Sequence, residues 1–314
     1  MMRIDCSRIG LVLFLIIYVH SGLWAYPPTG DSVVIIAPAS PSSIPLIAAS
    51  RRMAGTRIQL FTNHSQAHSL FLKDHNRLLS TGLSVAIRFY QEGIPVRILS
   101  SHIAGMTYLI TLRPDIKSFG DLRHSVIVLP FEGSPIEEIT TYFIRHQGLR
   151  VPEDIRFRYS PLEASVELIR QGKIQAAVLP EPYGSLMLSR GIAIHPSLDY
   201  YQLWKESTGQ SNGYPQVVLI AKSEWSALNS AYIQRLHRMI REAMIRIEQN
   251  PDEALEIAGD SFHLPQAVLR SSIQRIRYQF ISEHEMEQAI YAYYRIIGKP
   301  LNESFKNIFY LPAQ

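Results

Sequence analysis

The sequence predicts an α/β protein built from two lobes of similar topology. Three observations carry this. Short apolar strand patterns alternate with helical patterns from Val33 to Ala221, the signature of parallel sheets flanked by helices. A strand–proline–serine–helix unit occurs twice, at residues 32–42 and 125–134. The length of 314 residues, with 46% hydrophobic and 18% charged residues, suits about two domains of ~150 residues, each with its own core.

Residues 1–25 precede the first strand and read as an address. Arg3 and Arg8 make a positive start, with Asp5 partly offsetting them. Ile9–Val19 is an apolar run of secretory-signal length, and His20–Ala25 supplies a short polar, small-residue segment. Cleavage is expected after Ala25, although Leu23 is a poor residue for the −3 position. The alternative is an uncleaved anchor extended by Leu23 and Trp24. An exported, periplasmic chain is expected, membrane-anchored if the segment is retained. No run of about 18 apolar residues exists elsewhere to span a bilayer. Cys6, the single cysteine, excludes internal disulfides, cysteine-rich zinc sites and iron–sulfur clusters. The formal charge of +4 is scattered, with no basic tract, so nucleic-acid binding is not expected.

The body then follows in order. Val33–Ala37 reads as a buried strand, followed by a polar turn and a small-residue helix through Ala48 and Ala49. Ile58–Thr62 is a strand, and helical patterns cover about Gln66–Asn76 and Gly82–Gln91. Strands are expected at Val96–Ser100, Tyr108–Leu112 and Val126–Leu129, then a helix to His146. Ile155–Tyr159 alternates with period two, Glu163–Gln171 is helical, and Ile174–Leu179 and Val217–Ala221 are strands. From Asn229 the chain reads as nearly all helix, with Tyr232, Ile233, Leu236, Met239, Ile240, Ala243, Met244 and Ile247 on one face. Ser134-Pro135-Ile136-Glu137 and Ser282 with Glu285 read as capping boxes.

In both copies of the repeat a Ser-Val strand reaches a proline (Pro38, Pro130), and a serine four residues on (Ser42, Ser134) begins a helix. Unpaired N–H groups and the helix dipole make such turns attractive to anions or polar acceptors. Plain helix capping explains either turn alone.

Residues 161–183, PLEASVELIRQGKIQAAVLPEPY, resemble the hallmark segment of the nitrate/sulfonate/taurine class of ABC-transporter substrate-binding proteins. Gly172, Ala176–Ala177 and Glu181–Pro182 match it, while Gln175 stands where the class has Asp. Asp121-Leu122, Gly133-Ser134-Pro135, Gly148-Leu149 and Pro152-Glu153-Asp154 resemble further parts of the class in the same order. The resemblance runs over roughly residues 32 to 310 and is thinnest in the first lobe. It implies a two-lobed type II periplasmic binding protein fold with a hinge of two crossover strands. Lobe I would comprise residues 26–113 and 217–314, lobe II residues 114–216, with crossovers near Thr111–Pro114 and Tyr214–Val217. It implies no cofactor, no resident metal and no enzymatic activity. A monomer is expected, capturing a small molecule and delivering it to an ABC permease with its cytoplasmic ATPase. A sensory or scaffold protein of the same fold with no transport role is the alternative, and after it a periplasmic enzyme.

Mapped onto the strand–helix turns, the resemblance implies ligand-binding roles for Ser40, Ser42 and Ser43, and for Ser80 and Thr81. In lobe II it implies Gly133 and Ser134 at a helix entry and Glu181 at a strand end, with Tyr183 and Tyr214 closing over the ligand. Phe61, Asn63 and Phe131 are further lining candidates. The ligand is expected to be either a sulfonate-like anion or a small heterocycle such as a vitamin precursor. No Gly-x-Ser-x-Gly elbow, Walker loop or dinucleotide glycine fingerprint occurs. His64, His68 and His75, with Asp74 near, form the one metal-like cluster, and scattered surface histidines explain it as well.

Overall fold

The computed structural model describes residues 32–191, 195–259 and 261–312. The expected signal segment and Cys6 lie outside the described residues. In chain order the elements are β1 (Val33–Pro38), α1 (Ile44–Arg51), β2 (Thr56–Phe61), α2 (His64–Lys73), β3 (Arg77–Gly82), α3 (Leu83–Gln91), β4 (Val96–Gly105) and β5 (Thr107–Thr111). They continue with β6 (Val126–Leu129), α4 (Pro135–His146), β7 (Arg156–Tyr159), α5 (Leu162–Arg170), β8 (Ala176–Pro180), α6 (Tyr183–Ser189), β9 (His195–Asp199) and α7 (Tyr200–Thr208). The last are β10 (Val217–Lys222), α8 (Ser223–Leu228), α9 (Ser230–Gln249), α10 (Pro251–Ala258), α11 (Gln266–Arg275), β11 (Arg277–Ser282) and α12 (Glu283–Ile296).

Two sheets result. The first has the order β11-β4-β10-β3-β1-β2, and the second β7-β6-β8-β5-β9. In the first, β1 runs parallel to β2 and β3, while β10 is antiparallel to β3 and β4. In the second, β6 is parallel to β7 and β8, and β5 is antiparallel to β8 and β9. Strand β1 shows why its sequence is apolar throughout. Val34 and Ile36 enter one apolar cluster, with Leu79, Val218 and Ile220. Val33, Ile35 and Ala37 enter another on the opposite face, against Leu46, Leu236 and Ile240. A strand buried on both sides has no polar face to show.

The chain changes sheet at Met106, earlier than the expected Thr111–Pro114. β4 runs on past the expected Ser100 to Gly105, although Ser101 and His102 interrupt the apolar pattern. Both are buried within β4, and Ser101 Oγ donates to Val217 O at 2.9 Å. The return passes through residues 209–216, where Tyr214 N–H donates to Ala104 O (3.3 Å) and Gln216 N–H to Ile103 O (3.1 Å). Gln216 Nε2 donates to Thr107 Oγ1 at 2.7 Å, tying the two crossovers together.

Three strands were not anticipated. β3 contains Ser80 and Thr81, yet sits centrally between β1 and β10. β9 lay in a stretch with no clear pattern. β11 interrupts the region read as helix and adds an edge strand to β4. The box expected at Ser282 and Glu285 is not formed, because Ser282 closes β11 opposite Ser100 and its side chain caps nothing. The apolar face of α9 is buried as expected, with His237 added to it and Tyr232 and Met239 half-buried at its margins, while Arg235, Arg238 and Arg241 face solvent.

Candidate functional site

The carboxyl ends of β1, β2 and β3 in the first sheet face those of β6 and β8 in the second. Between them lies a cavity of about 380 Å3. Ligands in open α/β sheets sit beyond strand carboxyl ends, where helices begin. Two other cavities are of similar size, about 460 and 480 Å3, but neither collects strand ends in this way.

Six of the ten expected site residues line this cavity: Ser40, Ser42, Ser80, Thr81, Ser134 and Tyr183. Ser40 and Ser42 share a hydrogen bond between hydroxyls (2.6 Å) in the turn after β1. Ser80 Oγ pairs with His102 Nε2 at 3.3 Å, and the buried Thr81 hydroxyl has no protein partner. Ser134 caps α4, its Oγ accepting from Glu137 N–H at 3.1 Å, with Pro135 in the first turn. Tyr183 O–H donates to Glu163 Oε1 at 2.5 Å, and burial together with this carboxylate raises the phenol's pKa. Phe61, Asn63 and Phe131 also line the space.

The other four lie elsewhere, each for a visible reason. Ser43 Oγ turns back to Pro38 O (2.6 Å) and locks the turn. Gly133 adopts φ +70°, and its close approach is to Arg88 rather than to the cavity. A Cβ there would overlap the guanidinium. Its carbonyl accepts from Ser84 Oγ (3.1 Å) and Arg88 Nη2 (3.0 Å), while its N–H donates to Glu137 Oε2 (2.5 Å). The capping box at Ser134 is thus half-formed, its returning carboxylate reaching one residue further back. Glu181 is buried against Arg275, whose Nε donates to Oε1 at 2.5 Å, and its Oε2 accepts from Ser185 N–H at 3.2 Å. Its backbone N–H donates to Met106 O at 2.8 Å, placing it at the crossover. Tyr214 is buried beside Trp204 and Tyr293, with ring centroids 5.5 and 5.9 Å away.

Sequence reasoning missed Met106, Glu163 and Gln216 as lining residues. Glu163 follows Pro161 in a strand–helix turn of the same kind as Ser134, a signal present but not used. Gln216 had none, since its place depends on the return along β4. His64 lines the cavity, packed edge-on against Phe61 (5.1 Å) and near Phe131 (6.0 Å). This packing lowers its pKa although the residue stays solvent-exposed, and Glu163 opposes the shift. His68 turns to Phe89, and its desolvation holds its pKa at about 4. Among the described residues no group of three His, Cys, Asp or Glu side chains is placed to hold a metal.

Residues 110–259 match the NMT1-like family. No curated protein matches the chain in sequence. Among solved structures, an ABC transporter from Parabacteroides distasonis is similar at TM-score 0.73 and 17% identity, covering 91% of this chain and 100% of that one. The periplasmic aliphatic sulphonate binding protein SsuA from Escherichia coli gives 0.72 and 17%, covering 91% and 94%. The periplasmic nitrate-binding protein NrtA from Synechocystis PCC 6803 gives 0.64 and 13%, covering 82% and 74%. The chain has the two-lobed periplasmic binding protein fold. The expected fold class and the resemblance to the nitrate/sulfonate/taurine class are both borne out at that level.

Proposed function

We propose that this chain is the extracytoplasmic solute-binding component of an ABC importer. It captures one small organic molecule between the lobes and delivers it to a membrane permease without changing it chemically. The cavity between the strand carboxyl ends of the two sheets is the observation that carries this reading. Polar side chains from both lobes meet there: Ser40, Ser42 and Thr81 from one side, Ser134 and Tyr183 from the other. The match to the NMT1-like family and the solved structures described as binding proteins support the same role. Hinge motion about Met106 and residues 209–216 opens the site, and a ligand that binds the closed state better shifts the balance to it. On this reading residues 1–25 export the chain to the envelope. The ligand is a sulfonate-like anion, as in the SsuA neighbour, or a compact heterocycle.

Native mass spectrometry of the purified protein tests this. One small molecule per chain is expected, released unchanged on unfolding. A chain that carries nothing and gains no thermal stability from a broad small-molecule panel would contradict it. So would steady turnover of a substrate. Binding at 100 times Kd is worth about 2.7 kcal/mol, enough to move Tm by several degrees.

A further inference from the structure

We infer that the cleft selects an uncharged or singly cationic molecule with an apolar face and at least one N–H or O–H donor, and rejects oxyanions. Gln216 and Glu163 are the residues that make this choice. The inference rests on the reading of the cleft as the ligand site.

Charge is the first ground. No Lys or Arg is among the described residues lining the cavity, and its one carboxylate is Glu163 at the rim. Helix N-termini attract anions through unpaired N–H groups, but those of α4 and α2 are already served by the protein. At α4, Ser134 Oγ takes the Glu137 N–H and the Glu137 carboxylate takes the Gly133 N–H. At α2, Asn63 Oδ1 takes the Gln66 N–H. α5 carries Glu163 itself in its first turn. An oxyanion would enter a space without a formal positive charge and beside a fixed negative one.

Unsatisfied hydrogen bonding is the second ground. Gln216 is buried and lines the cavity. Its Nε2 is spent on Thr107, and its Oε1 has no protein partner. A buried amide oxygen left bare costs stability, and a donor on a ligand removes that cost. Thr81, equally buried and lining the same space, has its hydroxyl free to donate or accept. A sulfonate offers acceptors only, so it leaves the Gln216 oxygen unpaired. Ser134 Oγ accepts from Glu137 N–H and keeps its proton, so an uncharged acceptor on the ligand also finds a partner. Phe61, Phe131, Met106 and Ile136 provide the apolar walls.

The test uses matched triplets in which one small apolar ring carries a sulfonate, a carboxamide or an amidinium. They are titrated calorimetrically into the full chain after removal of any co-purified molecule. Carboxamide or amidinium should bind at least about tenfold tighter than the matched sulfonate. Gln216→Leu should cost the carboxamide about tenfold, the scale of leaving one buried hydrogen-bonding group unpaired, and leave the sulfonate unchanged or tighter. Glu163→Gln, an isosteric change at the exposed rim that keeps an acceptor for Tyr183 O–H, should weaken the amidinium alone. Tighter binding of the sulfonates would overturn the charge selection while leaving small-molecule capture standing. Equal losses for all three heads in Gln216→Leu would overturn the role of Gln216. No binding by any of the three heads would remove small-molecule capture in the cleft, and this inference with it.

Discussion

Gly133 and Glu181 show how one residue can carry a sequence signal whose cause is not the ligand. Both belong to motifs resembling a binding-protein class, and both act between protein segments. Gly133→Val forces a branched side chain into positive φ and onto Arg88, so a loss on the order of 2–4 kcal/mol is expected in urea unfolding. Glu181→Gln leaves the Arg275 guanidinium without its counter-charge. Removing one partner of a buried pair typically costs about 3–5 kcal/mol, and the isosteric amide should keep the loss near the lower end. Pairing Glu181→Gln with Arg275→Met in a double-mutant cycle reads their coupling directly, and additive losses would deny the ion pair its role. His102 and His237 are also buried, and desolvation holds both near pKa 4, below the usual 6.5. The folded state therefore resists protonation that the unfolded chain accepts. Stability is present above the unfolded pKa and is lost as pH falls from about 6.5 towards 4, by up to ~3 kcal/mol for each residue. Denaturant melts at pH 7 and pH 4.5 check the sign, and His237→Phe should flatten part of the slope.

At the scale of elements, the repeat read from the sequence proves to be two strand–helix turns with different interiors. After β1, Ser43 closes the turn on Pro38, and Ser40 with Ser42 remains at the cavity. After β6, Ser134 caps α4 and Glu137 reaches back past it. Ser134→Ala removes this cap, and a loss of about 1 kcal/mol is expected in thermal unfolding. What the sequence showed plainly were the continuous apolar runs of β1 and β10 and the helical periodicity of α9. What it hid were β3, β9, β11 and the second half of β4. Each of these either carries polar residues that find partners only after the sheet assembles, as Ser101 does with Val217, or sits at an edge where burial is partial. The cavity followed the same division. Serines in capping positions were legible, because capping chemistry is local. Gln216, Met106 and the diversion of Tyr214 into the Trp204–Tyr293 cluster depend on where the chain crosses between sheets.

For the whole molecule, the crossings at Met106 and at residues 209–216 decide how the two lobes meet. Gln216 bonds Thr107 across the crossover, Glu181 bonds Met106 and Arg275 beside it, and Gly133 meets Ser84 and Arg88 between the lobes. These contacts join the two lobes around the space between the strand ends, so a ligand there touches both lobes and reports on their closure. The central claim is that one small molecule is held in this space. A crystal structure of the protein purified with its natural ligand tests it most directly. The account predicts electron density for one molecule within reach of Thr81, Ser134 and Gln216, enclosed by both sheets. Density at the separate cavity beside Trp204 and Tyr214, with the space between Thr81 and Ser134 empty, would contradict it.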